Sequence, residues 1–132
     1  MLARREHSRQ ELANKLQQRQ VEPSLIVTVL DHLTARDYLN ETRFVEAYIR
    51  SRFSKGLGPL RIRQELKQRG IADALMEAGI VALSDLNWRE LAERVRQKKF
   101  GQRQPVTYQE RMKQRHFLYY RGFDMSNENE NE

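Results

Sequence analysis

Cysteine is absent from this chain, which removes disulfides, thiolate nucleophiles and thiolate metal sites at a stroke. No apolar run approaches the ~18 residues of a membrane span, and the N-terminus carries no apolar signal core. A cytoplasmic location and no membrane partner are therefore expected. Apolar and polar residues nowhere alternate with a period of two, so no strand is expected either. Aromatics are few, at 8% with a single Trp, and 32% charge leaves a thin core for 132 residues, enough for one domain or a short array of small units.

Catalytic chemistry is just as thinly supplied. His7, His32 and His116 are scattered, without the spacing of a metal pair on one helix face, and are read as surface or half-buried side chains. Gly56-x-Gly58 lacks the third glycine and the strand–turn–helix setting of a dinucleotide loop, and no Walker lysine and hydroxyl follow it. It reads as a helix-launching turn. Asp31, Glu41, Glu46, Asp73 and Asp85 fall at helix ends or on exposed faces, where they serve as caps and dipole partners. No catalytic set, no metal and no cofactor are expected.

What the chain does have is positive charge. Lys and Arg number 24 against 18 Asp and Glu, a net +6. Residues 124–132 hold four acids and no base, so 1–123 carry +10. Such an excess favours a polyanionic partner, nucleic acid or an acidic protein surface, over a merely solubilising coat. Two clusters stand out, one between Ile49 and Gly70 and one from Arg94 through Arg96, Lys98, Lys99 and Arg103 to Arg111, Lys113 and Arg115, with acidic stretches between.

The first cluster lies in the most organised stretch, Arg52 to Ile71. Gly56 and Gly58 permit unusual backbone angles, and Pro59 fits the first helical position, where its missing N–H costs nothing. Ile62 and Leu66 share a face, and Gly70 is the residue expected just past a helix end. Upstream, Ser8 and Glu11 form a capping box for a helix running to about Arg19. Pro23 starts a second helix with Leu25, Ile26, Val29, Leu30 and Leu33 inward, and Asn40 caps a third carrying Phe44, Ala47 and Tyr48. Leu12, Leu16, Arg19 and Val21 recur fifty positions later as Ile62, Leu66, Arg69 and Ile71; Leu118, Arg121, Gly122 and Phe123 repeat the end of that pattern after a capping box at Thr107 and Glu110. The fold class is thus all-α, with tandem three-helix repeats in a curved, solenoid-like array. The expected divisions are 1–54, 55–104, an incomplete third repeat at 105–123, and a disordered acidic tail at 124–132. Trp88 is expected to seal the junction between repeats. Tyr119 and Tyr120 are adjacent on a helix, so one ring should be exposed and could meet a partner or stack on a base.

Ser8-x-x-Glu11-Leu12, Tyr38-Leu39-Asn40-Glu41-x-Arg43-Phe44, the Gly58-Pro59 block through Ile71, Lys98-Lys99-Phe100-Gly101 and Phe117-Leu118-x-x-Arg121-Gly122-Phe123 together resemble the bacterial RecX family over about residues 3–123. The resemblance implies a non-enzymatic regulatory protein that binds RecA and its filament on single-stranded DNA and inhibits it, with weak phosphate contacts to the DNA. A monomer is expected. Members usually have a further N-terminal helix and a complete third repeat; this chain shows neither, so a weaker grip on a filament or a short natural form is expected. Candidate contact residues are Lys55, Arg61, Arg63, Lys67, Arg69, Lys98, Lys99, Arg103 and Arg115. The alternative is a stand-alone helix-turn-helix-like DNA-binding module, although the candidate recognition helix lacks base-reading side chains at its N-terminal end and no dimer seam is evident.

Overall fold

A computed structural model describes residues 5–124, which hold seven helices and no strand. These are α1 (Arg9–Gln18), α2 (Pro23–Ala35), α3 (Glu41–Ser54), α4 (Pro59–Gln68), α5 (Asp73–Ala82), α6 (Trp88–Phe100) and α7 (Tyr108–Tyr120). The acidic tail expected at 124–132 lies, beyond residue 124, outside the described residues.

The local signals act as the residue types require. Ser8 and Thr107 each close a full capping box with Glu11 and Glu110, and Asn40 and Asn87 accept from the backbone N–H of Arg43 and Glu90. Five helices, α1, α2, α3, α4 and α7, end in one device: a residue of positive φ whose successor's N–H reaches five residues back. Val21 donates to Leu16 at 3.0 Å, Ile71 to Leu66 at 3.1 Å and Phe123 to Leu118 at 2.9 Å. The fifty-residue recurrence read from the sequence is in large part the recurrence of this helix stop with its apolar pair. Gln20 and Asp37 occupy the left-handed position without being glycine.

The described residues form two compact units. Unit 1 contains 5–49 and 65–83, and unit 2 contains 50–64 and 84–124. In unit 1, α1 and α2 pack through Leu12, Leu30 and Leu39, with Leu16, Ile26 and Leu33 half-buried against them. Phe44, Val45, Ile49, Leu66, Ile71, Met76 and Leu83 are buried in the same unit. A Cβ on Gly79 would overlap Val45, so α5 presents a glycine where α3 presents a branched side chain. Unit 2 is built on Leu91, Ala92, Leu118 and Phe123, with Phe53, Trp88, Val95 and Phe117 around them. Trp88 packs in this core and meets Phe53 edge-on at 5.1 Å, a contact between a residue of the expected first repeat and one of the expected second.

Several expectations are corrected. Leu25 and Val29 of α2 are exposed, because α2 turns only its Ile26–Leu30–Leu33 stripe inward. Ala47 is exposed, and α3 buries Val45 and Ile49 instead. His7 is buried at 2% exposure rather than lying near the surface; burial, then the Arg5 and Lys15 charges, push its pKa below the usual histidine value, with Glu11 opposing.

Candidate polyanion-binding site

Folding sorts the charge that the sequence interleaves. The described residues of unit 2 hold fifteen Lys and Arg against five Asp and Glu, a net +10, whereas unit 1 holds eight against ten, a net −2. Of the acids that separate the two basic clusters in the chain, Asp73 and Glu77 belong to unit 1 and Asp85, Glu90 and Glu93 to unit 2, while Arg50–Gln64 and Arg89–Arg121 are gathered in unit 2. Of the candidate contacts, Lys55, Arg61, Arg63, Lys98, Lys99, Arg103 and Arg115 fall in unit 2, and Lys67 and Arg69 in unit 1.

The start of α4 and the end of α7 make one tight joint within unit 2. Gly58 donates its N–H to the Arg121 carbonyl at 2.8 Å, and Leu60 donates to the Gly122 carbonyl at 3.0 Å. Pro59, between them, has no N–H to satisfy. Two of the N–H groups that a helix N-terminus could offer an anion are thus taken by the C-terminal carbonyls of another helix, a pairing that also suits both helix dipoles. Gly58 has no unusual φ; it is glycine because a Cβ there would overlap the Gly122 carbonyl and press on Phe123. Gly56, at φ 82°, does need its backbone freedom. Arg121 reaches back to the Lys55 carbonyl at 3.4 Å and lies over Phe117.

Beside this joint lies a cleft of about 370 Å³ whose lining includes Arg61, Arg63, Tyr119 and Tyr120. Both tyrosines are exposed, where the sequence required only one to be. Lys55 is exposed in the loop before α4, and Lys98 and Lys99 are exposed in the last turn of α6, with the Lys99 ammonium 5.7 Å from the Phe117 ring centre.

Several cations have partners within the fold. Arg69 ion-pairs with Glu11 at 3.6 Å, donates to the Glu65 carbonyl and lies 4.8 Å over the Tyr48 ring, whose hydroxyl donates to Glu65. Arg103 pairs with Glu110 at 3.1 Å while staying largely exposed, and Arg115 is half-buried. Arg96, counted in the second basic cluster, is buried at 5%. It pairs with Glu93 at 2.7 Å and donates to the Gly101 and Arg103 carbonyls and to Gln114, so it fixes the α6–α7 linker instead of facing solvent. The Arg96 hydrogen bond holds the Glu93 carboxyl below its ordinary pKa. Glu110 is likewise lowered, first by the Val106 N–H. Among the described residues, no group of three or more His, Cys, Asp or Glu side chains could hold a metal ion.

These features define an all-helical array protein whose positive charge is concentrated in one unit. Models of the three RecX helical domains match the chain in order: the first three-helix domain at residues 1–33, the second at 40–80 and the third at 89–126. The chain is 42% identical over 123 residues to the regulatory protein RecX of Halorhodospira halophila (93% of this chain, 76% of that one) and 46% identical over 130 residues to that of Pseudomonas fluorescens (95% and 80%). It belongs to the RecX family. The backbone agrees: a crystal structure of regulatory protein RecX matches with a TM-score of 0.80 at 21% identity over 95% of this chain, which spans 63% of that structure's length. RecX from Lactobacillus salivarius matches with a TM-score of 0.78 at 21% identity over 93% of this chain and 81% of the other.

Proposed function

We propose that this chain binds RecA and the filament that RecA forms on single-stranded DNA, and inhibits RecA in recombination and DNA repair. The reading rests on family membership across nearly the whole chain, with relatives that carry the name regulatory protein RecX. The segregated charge of unit 2 supports it, since the single-stranded DNA in that filament carries a negative charge on every phosphate. The protein acts by occupancy and performs no reaction of its own. Lys55, Arg61, Arg63, Lys67, Arg69, Lys98, Lys99, Arg103 and Arg115 make up the cationic surface on which the contacts draw, Arg69 and Arg103 while also pairing with Glu11 and Glu110. No helix among the described residues is long and apolar enough to cross a membrane, and we place the protein in the cytoplasm with its proposed target.

The test is RecA-catalysed ATP hydrolysis on single-stranded DNA. The rate should fall as this protein approaches stoichiometry with RecA; an unchanged rate there overturns the reading. Changing Arg61, Arg63 and Lys67 together to Gln should keep the fold, as Gln is about as good a helix former. It should weaken inhibition and flatten its salt dependence by about one unit of slope per lost phosphate contact. A folded, fully inhibitory triple variant would remove α4 from the interface.

A further inference from the structure

Tyr119 and Tyr120 end α7 with 66% and 80% of their surfaces in solvent. Adjacent helical positions point about 100° apart, so a helix can ordinarily bury one of two neighbouring aromatics. Here neither is buried, and both line the cleft beside the start of α4. Across that cleft stand Arg61 and Arg63, two positions apart on α4, and the exposed amide of Gln64. Leu60 adds an apolar surface to the lining.

We infer that this cleft seats one unpaired base of a single-stranded nucleic acid, stacked against the Tyr119–Tyr120 pair, with its flanking phosphate on Arg61 and Arg63. The inference rests on the proposed action at single-stranded DNA and names where in unit 2 the strand is held. At about 370 Å³ the cleft is at the small end of the ~300–1,000 Å³ of small-ligand sites, a size for one nucleotide and not for a duplex. Exposed aromatic faces beside cations are the combination by which proteins hold single strands without reading sequence: every base has a π-face and every nucleotide a phosphate. Gln64 carries both donor and acceptor for a base edge. Phosphate recognition falls to the guanidinium groups because the Gly58 and Leu60 N–H groups are already bonded to Arg121 and Gly122. An acidic peptide would satisfy the arginines but leave two aromatic rings without a purpose.

The experiment measures binding of the full chain, by fluorescence anisotropy, to a twelve-residue oligothymidylate and to an abasic strand of equal length and charge. Stacking of one base should make the oligothymidylate bind about tenfold tighter. Tyr119→Leu with Tyr120→Leu should abolish that difference while leaving abasic binding unchanged, and Tyr119→Phe with Tyr120→Phe should preserve it. Equal wild-type affinity for the two strands overturns the inference without needing any variant; so does a double-Leu protein that keeps the preference. A double-Leu protein that keeps the preference but no longer inhibits RecA would show that the cleft takes a protein segment instead. Inhibition by the wild type is scored separately. A wild type that inhibits RecA without base preference loses only the cleft; one with base preference and no inhibition loses only the RecA reading.

Discussion

Gly58 and Gly122 face each other across the α4–α7 joint, and neither has room for a side chain. In sequence Gly56 and Gly58 look alike, two glycines before a proline, and nothing local tells them apart. The structure does: Gly56 needs a left-handed backbone, while Gly58 needs space that the Gly122 carbonyl takes. That partner lies near the other end of the described chain, so no short-range pattern reveals it. The two substitutions should differ accordingly. Gly58→Ala forces backbone against backbone, which gives no flexible side chain to move aside, and should cost about 3 kcal/mol or more, at the upper end of overpacking. Gly56→Ala strains only its own dihedral, with the Val95 methyl and the Arg121 guanidinium near enough to shift, and should cost about 1–2 kcal/mol. Chemical denaturation of both variants decides it; equal losses would mean that the close approach is not what fixes Gly58.

At the scale of the element, the segment from α6 through the linker into α7 is held by one buried guanidinium. The sequence placed Arg96 among surface bases because its neighbours Arg94, Lys98 and Lys99 are basic. Helical spacing puts it one turn from Ala92, on the core side, and four acceptors wait there. Charge type misled where periodicity was informative. Capping boxes, the proline-started helices and the apolar helix stops were legible, since each depends on residues within five positions of one another. Arg96→Met should keep the stem's packing but lose these bonds, costing roughly 1–3 kcal/mol. Because Arg96 lowers the Glu93 pKa in the folded protein, the pair's contribution is complete above about pH 4.5, the ordinary carboxyl value, and is lost as pH falls through the depressed folded value. Thermal melts between pH 7 and 3 should show wild type losing stability faster than Arg96→Met below that point. Parallel acid limbs would show that the pair is not coupled to folding.

For the molecule as a whole, the all-helical class and the basic excess were plain in the sequence, but the place of that excess was not. Unit 2 is assembled from two stretches of chain with an acidic stretch between them, and only folding removes Glu65, Asp73 and Glu77 from the company of the bases. Polyanion binding should therefore depend on where charge is removed, not on how much. Replacing Lys55, Lys98 and Lys99 by Gln should lower affinity for single-stranded DNA about tenfold or more at low salt and reduce the salt slope, since all three are exposed in unit 2. Replacing Arg9, Arg19 and Arg36 of unit 1 should change affinity less than twofold. Equal losses from the two sets would show that net charge alone governs binding.

The bonds from Gly58 and Leu60 to Arg121 and Gly122 also set an order of events during synthesis. All of unit 1 has left the ribosome once residue 83 emerges, and it can close on its own residues while the rest is still being made. Gly58 and Leu60 emerge well before Arg121 and Gly122 and must wait for almost the last described residues of the chain. Until then the beginning of α4 has free N–H groups, the Tyr119–Tyr120 wall does not yet exist, and the entropy of a long loop remains to be overcome. A nascent chain thus displays its bases early but acquires the surface that would organise them only once Arg121 and Gly122 have emerged.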